Sequence, residues 1–258
     1  MLRDVKSMIK VLLCGCSGKM GGSVISLANE SEDIKIVAGV DTVIKSFAFP
    51  VFSDFSGISV PVDVVLDFSN SSAVYGVLDF ARKKNIPAII ATTGHSEQQI
   101  ADIKAAAKDI PIFFTANMSL GINVLCALAK QAANILGGDF DIEIVEKHHN
   151  RKLDAPSGTA LMLANELNSV FEDTYSYEYD RHSKRRMRPK NEIGIHSVRG
   201  GTIVGEHEVI FAGHEEVITL SHSAQSKGVF AAGALAAVRF IVNAEPGLYD
   251  MNDIISKQ

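Results

Sequence analysis

The stretch IKVLLCGCSGKMGG, residues 9–22, decides the fold predicted for this chain. It opens with a mostly apolar run, typical of a buried parallel strand. Glycines follow at positions 15, 18 and 21, and apolar residues with helical spacing continue from residue 20. Gly15 permits a tight turn, Gly18 lets the backbone approach a pyrophosphate, and Gly21 allows close packing of helix on strand. The free amides at the helix start then face the phosphates, so the stretch predicts a dinucleotide-binding loop.

Asp41 stands at the end of the next apolar run, residues 34–40, where a carboxylate can accept hydrogen bonds from an adenosine ribose. A 2′-phosphate would be repelled by this carboxylate and needs a nearby arginine. Thr42 follows instead, and the nearby cations are Lys19 and Lys45. We therefore expect NADH as the preferred cofactor, with NADPH also usable. The alternative interpretation is a glycine-rich turn in which Asp41 is a solvated loop acid.

Apolar runs and helix-like segments alternate through the first half of the chain. Further strands are predicted at residues 62–68, 88–91 and 112–114, and helices at residues 20–29, 71–84 and 96–108. The serines that open the second of these helices can cap its free amides. Strands alternating with helices in this way predict a Rossmann-type, doubly wound parallel sheet with both faces covered.

The pattern changes near residue 117. A helix at 123–136 is followed by strands at 140–147, 192–198, 202–211 and 216–222, with one long helix at 158–171 among them. Successive strands joined by glycine-rich turns indicate an antiparallel or mixed sheet. An alanine-rich helix at 229–243 is expected to return to the first domain, and the polar, cation-rich residues 174–191 to form a mobile loop.

The predicted fold is therefore α/β with two domains. Residues 8–118 plus 229–258 are expected to form the dinucleotide-binding domain. Residues 119–228 are expected to form a smaller α+β mixed-sheet domain for substrate binding and oligomerisation.

Composition argues against several classes of protein. A net charge of -5 and a pI near 5.9 argue against nucleic acid as the main partner. No uninterrupted apolar run reaches the roughly 18 residues of a membrane span, and the start lacks a signal-peptide pattern, so no membrane partner and a cytoplasmic location are expected. The three cysteines are odd in number, and two of them are too close for redox or zinc pairs. We interpret all three as small buried side chains and expect no metal site.

A second stretch, EKHHNRKLDAPSGT at residues 146–159, concentrates groups that handle charge and protons. Its histidines can exchange a proton near neutral pH, because the unperturbed imidazole pKa is about 6.5. Its lysine supplies positive charge to a carbonyl, imine or carboxylate. Ser157 or Thr159, with the amides near Gly158, forms a helix start that can bind an anion. The stretch suits a small anionic substrate that is protonated while it receives hydride.

Other interpretations of this stretch stay open on the residues alone. His148 and His149 would point to opposite faces of a continued strand, which disfavours joint metal chelation. Ser157 lacks the surroundings of a nucleophile elbow. The stretch could also be a helix cap beside a solvated strand edge. The histidines elsewhere in the second half of the chain, His196, His207, His214 and His222, are expected to be structural. The turn Arg199-Gly-Gly is expected either to be only a turn or to shape the substrate pocket.

Eight motifs along nearly the whole chain carry a resemblance to a known family. They are GCSGKMG (15–21), DFS (67–69), ATTG (91–94), ANMSLG (116–121), EIVEKHH (143–149), KLDAPSGTA (152–160), VRGG (198–201) and VGEHEV (204–209). Together they resemble the 4-hydroxy-tetrahydrodipicolinate reductase family, long called dihydrodipicolinate reductase, of lysine and diaminopimelate biosynthesis. The segment 152–160 is close to diagnostic, whereas the glycine loop is not.

The resemblance implies hydride transfer from NAD(P)H to a cyclic unsaturated imine dicarboxylate, giving tetrahydrodipicolinate. By position, His148 matches the general acid and Lys152 the catalytic lysine. The matching substrate-carboxylate residues are His149, Lys152, Ser157, Gly158 and Thr159. The matching cofactor contacts are Gly15, Cys16, Ser17, Gly18, Lys19, Met20, Asp41, Ala91, Thr92, Thr93, Thr115, Ala116, Asn117 and Met118. The resemblance also implies domain closure over the cofactor and a homotetramer formed through the second sheet.

Two positions depart from the family pattern: Ala91 replaces a common glycine, and Thr42 replaces a common basic residue, which weakens the case for NADPH. Two other functions remain as alternatives. One is a non-catalytic NAD(H)-binding redox sensor, which would need the glycine loop but not the proton donor and lysine. The other is a different small-acid dehydrogenase that shares only the first domain.

Overall fold

A computed structural model describes residues 8–256 of the chain and divides into two compact units. The first unit contains the chain up to Leu120 and from Lys227 onward. The second unit runs from Gly121 to Ser226. The chain therefore leaves the first unit once and returns to it through its last long helix.

The first unit is built on a seven-stranded sheet in which neighbouring strands run parallel. Its strands are β1 (Ile9–Cys14), β2 (Ile34–Val40), β3 (Val51–Phe52), β4 (Val64–Asp67), β5 (Ala88–Ile90), β6 (Pro111–Phe114) and β12 (Gly247–Tyr249). The spatial order is β12-β6-β5-β4-β1-β2-β3, so the winding direction reverses between β1 and β4. This is the doubly wound order of a Rossmann-type sheet, as predicted.

Both faces of this sheet are covered by helices. They are α1 (Lys19–Asn29), α2 (Val74–Lys84), α3 (Glu97–Ala106), α6 (Gly228–Ile241) and α7 (Met251–Ser256). Alternate side chains of β1 enter two separate apolar clusters: Val11 and Leu13 pack in the cluster of α1, α6 and α7, whereas Leu12 packs in the cluster of α2 and α3. All three are fully buried, and each such burial stabilises the fold by about 1.5–3 kcal/mol. Burial on both faces explains why β1 reads as an apolar run.

The second unit is built on a five-stranded mixed sheet. Its strands are β7 (Asp141–His148), β8 (Ser176–Glu178), β9 (Glu192–Arg199), β10 (Gly205–Ala212) and β11 (Val217–Ala224), in the order β11-β10-β7-β9-β8. The strand β10 pairs antiparallel with β7 and β11, whereas β7 and β8 pair parallel with β9. One apolar cluster joins the sheet to α4 (Leu120–Leu136) and α5 (Gly158–Val170). The α/β class and the mixed second sheet are confirmed.

Several local predictions need correction. The short strands β3, β8 and β12 lie outside the predicted elements, because two or three residues carry no readable alternation. A 3₁₀ turn, Ser71–Ala73, precedes α2, and its cap is Asn70 rather than a serine. The Asn70 side-chain oxygen accepts a hydrogen bond from the amide of Ser72 at 3.0 Å. An asparagine fills the same role as a serine at this position, so the helix start shifts without loss of capping.

The predicted mobile loop at 174–191 contains β8 and is tied to the sheet by Arg188. The Arg188 guanidinium donates to the carboxylates of Asp141 and Glu143, both at 2.9 Å, and to the carbonyl of Ile142 at 3.0 Å. The expectation of a loop is therefore wrong for Ser176–Glu178, which forms a strand, whereas the mobility predicted for the rest of the segment stays a prediction. These ion pairs join residues about 45 positions apart, so the local composition of the loop could not indicate them.

One helix of the described residues, Leu120–Asp139 including its 3₁₀ end, is long and apolar enough to cross a bilayer by length and composition. This helix does not stand out in the sequence as an uninterrupted apolar run, because isolated polar residues interrupt it. Helices in the cores of soluble proteins can have the same length and composition. Leu125 and Ala129 on this helix are buried in the apolar cluster of the second unit.

Candidate active site

The glycine loop of the first unit connects β1 to α1 in a conformation that larger residues could not adopt. Gly15 has φ of +77°, and a Cβ there would lie 2.7 Å from the carbonyl oxygen of Phe68. A Cβ at Gly21 would lie 2.4 Å from the carbonyl oxygen of Gly15. Gly18 is exposed and N-caps α1 without a side-chain hydrogen bond. The loop therefore packs tightly on its inner side and leaves the helix amides open on its outer side.

Asp41 follows β2 and is bonded to the glycine loop. Its Oδ2 accepts a hydrogen bond from the amide of Ser17 at 2.9 Å, and its Oδ1 accepts one from the amide of Val43 at 3.0 Å. The ammonium of Lys45 donates to the carbonyl oxygen of Ser17 at 2.6 Å. Each carboxylate oxygen has a second lone pair, so Asp41 can still accept from ribose hydroxyls.

A cavity of about 530 Å³ lies beside this loop within the first unit. Its lining includes Gly15, Ser17, Gly18, Asp41, Thr42, Val43, Lys45, Phe55, Ser69 and Asn70. The volume is within the range of about 300–1,000 Å³ that is typical of cofactor sites. Open helix amides, a carboxylate and a tight glycine cradle on one cavity fit the phosphates and ribose of a nicotinamide dinucleotide.

The other predicted cofactor residues follow neighbouring strands of the same sheet. Ala91, Thr92 and Thr93 come directly after β5, and residues 115–118 come directly after β6. Carboxyl ends of parallel strands meet at one edge, which is where doubly wound folds bind ligands. Thr93 and Ala116 are exposed, whereas Thr92, Asn117 and Met118 are buried. The Thr92 hydroxyl lies 2.8 Å from His95 Nε2, so its role in the first unit includes an internal contact.

In the second unit, β7 carries Glu146 and His148 on one face, because residues two apart on a strand point the same way. His148 Nδ1 lies 2.5 Å from Glu146 Oε2. The strand ends at His148, so His149 lies beyond it, with a buried Nδ1 that has no partner among residues 8–256. Lys152 Nζ lies 2.8 Å from Asp154 Oδ1, and this pairing lowers the pKa of the Asp154 carboxyl.

Ser157 caps α5, as its position in the sequence predicts. Its Oγ accepts a hydrogen bond from the amide of Ala160 at 3.2 Å and lies 3.1 Å from His207 Nε2. Its own amide donates to Glu146 Oε1 at 3.2 Å. Ser157 is 2% exposed, so the open part of this helix start is formed by Gly158, which is exposed, and Thr159, which is half-buried.

Glu146, Arg199 and His207 belong to this cluster, although local sequence patterns predicted no catalytic role for any of them. Arg199 Nη1 donates to Glu146 Oε2 at 2.8 Å, and Nη2 donates to Oε1 at 2.7 Å. The rings of His207 and His148 meet edge to face, with centroids 5.3 Å apart. The two-residue spacing of Glu146 and His148 was a readable signal. The contacts of Arg199 and His207 depend on strand register and had no local signal.

Burial and pairing shift two pKa values in the cluster. Burial alone would raise the pKa of Glu146, but hydrogen bonds from Arg199, Ser197 and His148 outweigh it and lower that pKa to about 2. Burial is the main cause that lowers the pKa of His207 to about 4, and the nearby charge of His148 adds to it. Glu146 is therefore an anion and His207 a neutral imidazole at neutral pH.

Within residues 8–256, no group of three or more histidine, cysteine or acidic side chains is arranged to hold a metal ion. All three cysteines are free and buried. Burial raises the pKa of the Cys126 thiol to about 11 and also raises those of Cys14 and Cys16. Buried thiols with raised pKa values are inert packing groups.

Comparison with known proteins identifies relatives of both halves. The family model described as "Dihydrodipicolinate reductase, N-terminus" matches residues 9–118, and the model for its C-terminus matches residues 121–255. The 4-hydroxy-tetrahydrodipicolinate reductase of Caldanaerobacter subterraneus subsp. tengcongensis is 54% identical over 97% of this chain and 99% of its own length. The enzyme of the same name from Clostridium novyi is 46% identical over 97% of this chain and 100% of its own.

A solved structure gives the same picture at the level of the fold. The dipicolinate-bound dihydrodipicolinate reductase of Paenisporosarcina sp. TG-14 superposes with a TM-score of 0.81 at 25% identity, covering 95% of this chain and 99% of that one. The matches span both units, the glycine loop and the segment that carries His148 and Lys152. This chain belongs to the dihydrodipicolinate reductase family.

Proposed function

We propose that this chain is a 4-hydroxy-tetrahydrodipicolinate reductase, which transfers a hydride from NAD(P)H to a cyclic unsaturated imine dicarboxylate and gives tetrahydrodipicolinate. The chain is an NAD(P)H-dependent oxidoreductase by its family. The observation that carries the substrate proposal is the second-unit cluster, in which an imidazole, an ammonium and an open helix start follow one another within 12 residues, 148–159. That set of groups serves an anionic acceptor that must gain a proton.

In the first unit, we assign residues 15–20 to the pyrophosphate, with the first amides of α1, from Lys19 onward, as the donors beside the cavity. The amides of Gly15, Ser17 and Gly18 already donate to Val40, Asp41 and Gly15 and hold the loop in shape. Asp41 accepts from the ribose hydroxyls, and residues 91–93 and 115–118 contact the remainder of the cofactor. When bound, the dinucleotide supplies the hydride. The Asp41 carboxylate followed by Thr42 favours NADH, and Lys45 leaves NADPH usable.

In the second unit, we assign the substrate carboxylates to His149, Lys152, Ser157, Gly158 and Thr159. The 13-residue helix α5 directs its positive dipole end toward this position, and the Lys152 ammonium adds a full charge. The bond between Lys152 and Asp154 is a surface pair, with the Asp154 side chain 58% exposed, so an incoming carboxylate can replace it at small cost.

We assign His148 as the proton donor to the reduced substrate. Its side chain is 12% exposed, so it reaches solvent while its Nδ1 is held by Glu146. Imidazole is suited to this step because it exchanges protons near neutral pH. The one proton that the substrate gains comes from the imidazole ring of His148. The Lys152 ammonium stabilises the negative charge that develops on the substrate.

We further propose that residues 8–118 plus 229–258 act as the dinucleotide domain and 119–228 as the substrate and oligomerisation domain. A homotetramer in the cytoplasm is the proposed working form. Exposed apolar side chains on strands of the second sheet, Val198, Val217 and Ile218, support association through that sheet.

The test is NADH oxidation with substrate made in situ by dihydrodipicolinate synthase. Lys152→Ala should lower kcat/KM by about 10²-fold or more while NADH affinity stays unchanged. Lys130→Ala, which removes a half-exposed lysine paired with Glu166, is the matched control and should keep wild-type rates. A wild-type protein that binds NADH but does not oxidise it would favour the redox-sensor alternative instead.

A further inference from the structure

We propose that the buried Glu146 and the half-buried Arg199 form a positioning pair that holds His148 in the single tautomer whose Nε2 exchanges the substrate proton. The inference rests on the proposed function only for the identity of the substrate. Its physical basis is the set of contacts around the imidazole in the second unit.

Glu146 is the centre of these contacts. It is fully buried, and its two carboxylate oxygens accept from three different segments of the chain. Oε2 meets His148 Nδ1 at 2.5 Å and Arg199 Nη1 at 2.8 Å. Oε1 accepts from Arg199 Nη2 at 2.7 Å and from the amide of Ser157 at 3.2 Å. A carboxylate bound on so many sides has one orientation, and the imidazole bonded to it has one orientation as well.

The charge of Glu146 decides which nitrogen of His148 carries the hydrogen. A carboxyl group whose pKa is lowered to about 2 has no proton to donate at neutral pH. In the contact with Glu146, His148 Nδ1 must therefore be the donor. The neutral imidazole then has a free lone pair on Nε2, and the imidazolium has its exchangeable hydrogen on Nε2. The proton that reaches the substrate leaves from that atom.

Arg199 is the counter-ion of Glu146 in this pair. Its bidentate contact neutralises Glu146, so the carboxylate orients His148 without binding the imidazole proton too strongly to release it. Arg199 is itself held in place, because Nη2 also donates to the carbonyl of Asp154 at 2.7 Å and Nη1 to that of Val198 at 2.8 Å. The strand register of β7 and β9 places Arg199 directly beside His148.

Other polar and titratable groups surround His148 and contribute to the electrostatic field at its ring. The strand β10 contributes His207, whose ring packs against His148, and Gly205, where a Cβ would lie 3.2 Å from His148 Nε2. His222 on β11 and Lys152 both act electrostatically on His207. Asp154 acts on Arg199. Among these groups, Glu146 is the anion that contacts the imidazole directly. Its removal should therefore change the proton affinity of His148 more than removal of any of the others.

The experiment reads the tautomer and the pH profile on the intact protein. In the ¹⁵N NMR spectrum of wild type labelled with ¹⁵N-histidine, the neutral His148 ring should carry its hydrogen on Nδ1. The signal of His148 is identified as the one that disappears in His148→Gln. In Glu146→Gln, kcat should fall about 10- to 100-fold, by analogy with the loss when the group that orients a metal-bound histidine is removed. The pH above which kcat/KM declines should move down by about one pH unit or more.

Arg199→Gln should move the same decline in the opposite direction, to higher pH, because Glu146 then lies beside His148 without its counter-ion. The matched control is Glu143→Gln, which changes a glutamate of the same strand that points to the other face and pairs with Arg181, Arg188 and His196. It should leave the pH profile unchanged. A purely structural role for the pair would lower stability in both variants without opposite pH shifts, and that result would overturn the proposal.

The tautomer measurement needs no variant to fold other than the one used for assignment. A neutral His148 with its hydrogen on Nε2 in wild type would refute the positioning role whatever the kinetics show. If wild type does not reduce the substrate, the proposed function fails, whereas the position of the hydrogen remains a separate test of Glu146 and Arg199.

Discussion

His207 should make this protein sensitive to mild acid, and His207→Gln should remove part of that sensitivity. The imidazole is 4% exposed, and burial lowers its pKa to about 4. In the unfolded chain the same group has a pKa of about 6.5. Between these values the unfolded state binds a proton that the folded state does not bind, so stability falls as the pH drops below about 6.5 and the loss is complete below about 4.

The size of the effect follows from the difference between the two pKa values. One pKa unit corresponds to about 1.4 kcal/mol, so acidification from neutral pH to pH 5 should cost about 2 kcal/mol through His207 alone. The full loss, reached near the folded pKa, is about 3 kcal/mol. Glu146 does not contribute in this window, because its stabilising effect is lost only as the pH falls from about 4.5 toward its folded pKa of about 2.

The assay is urea unfolding of wild type and His207→Gln at pH 7 and pH 5, at one protein concentration because the proposed homotetramer would contribute to stability. Glutamine is uncharged at both pH values and keeps a polar group near the Ser157 hydroxyl. The variant should lose about 2 kcal/mol less than wild type on acidification. His222, whose pKa is also lowered by burial, is present in both proteins, so its own contribution subtracts apart from its charge coupling to His207.

His214→Gln is the control, since it makes the same substitution at an exposed histidine of the second unit. It should show the wild-type loss on acidification. An equal loss in wild type and His207→Gln would refute the reasoning, because the imidazole would then have the same proton affinity in the folded and unfolded states.

Three further expectations concern the first unit and the thiols. Gly21→Ala should abolish NADH binding or folding, because its Cβ would lie 2.4 Å from a backbone oxygen. The control Gly22→Ala, where a Cβ meets nothing within 4 Å, should fold and bind NADH normally and gain up to about 1 kcal/mol of stability. Calorimetric titration should give NADH an affinity at least equal to that of NADPH, and a large NADPH preference would contradict the role of Asp41. Iodoacetamide should label none of the three cysteines in the native protein and all of them in urea, and rapid native labelling would contradict their burial.

The architecture of the first unit was predictable because its signals are local. The apolar run of β1 is buried on both faces, and the glycines at 15 and 21 stand where a Cβ would collide with backbone. The elements that sequence patterns missed are short. β3 has two residues and β12 has three, and such strands are held by pairing with a longer neighbour rather than by their own alternation.

The second-unit cluster was predictable only in part. Lys152 and Ser157 were identified from a segment that is close to diagnostic, and Ser157 does cap α5. The role of Glu146 was partly visible from its spacing to His148. The structural role predicted for His207 stays a prediction, and its contact with Ser157 had no local signal, because that contact joins residues 50 positions apart.

The sequence by itself determined the parallel sheet, the dinucleotide loop and the segment proposed to handle the proton, because each depends on residue spacing within one or two elements. Only the tertiary structure decided what surrounds His148. Arg199 meets Glu146 across 53 residues because β9 lies parallel to β7 in a particular register. A shift of that register by one residue would turn Arg199 to the other face of the sheet. The register depends on the packing of the whole second unit, and the spacing of residues along the chain does not encode it locally.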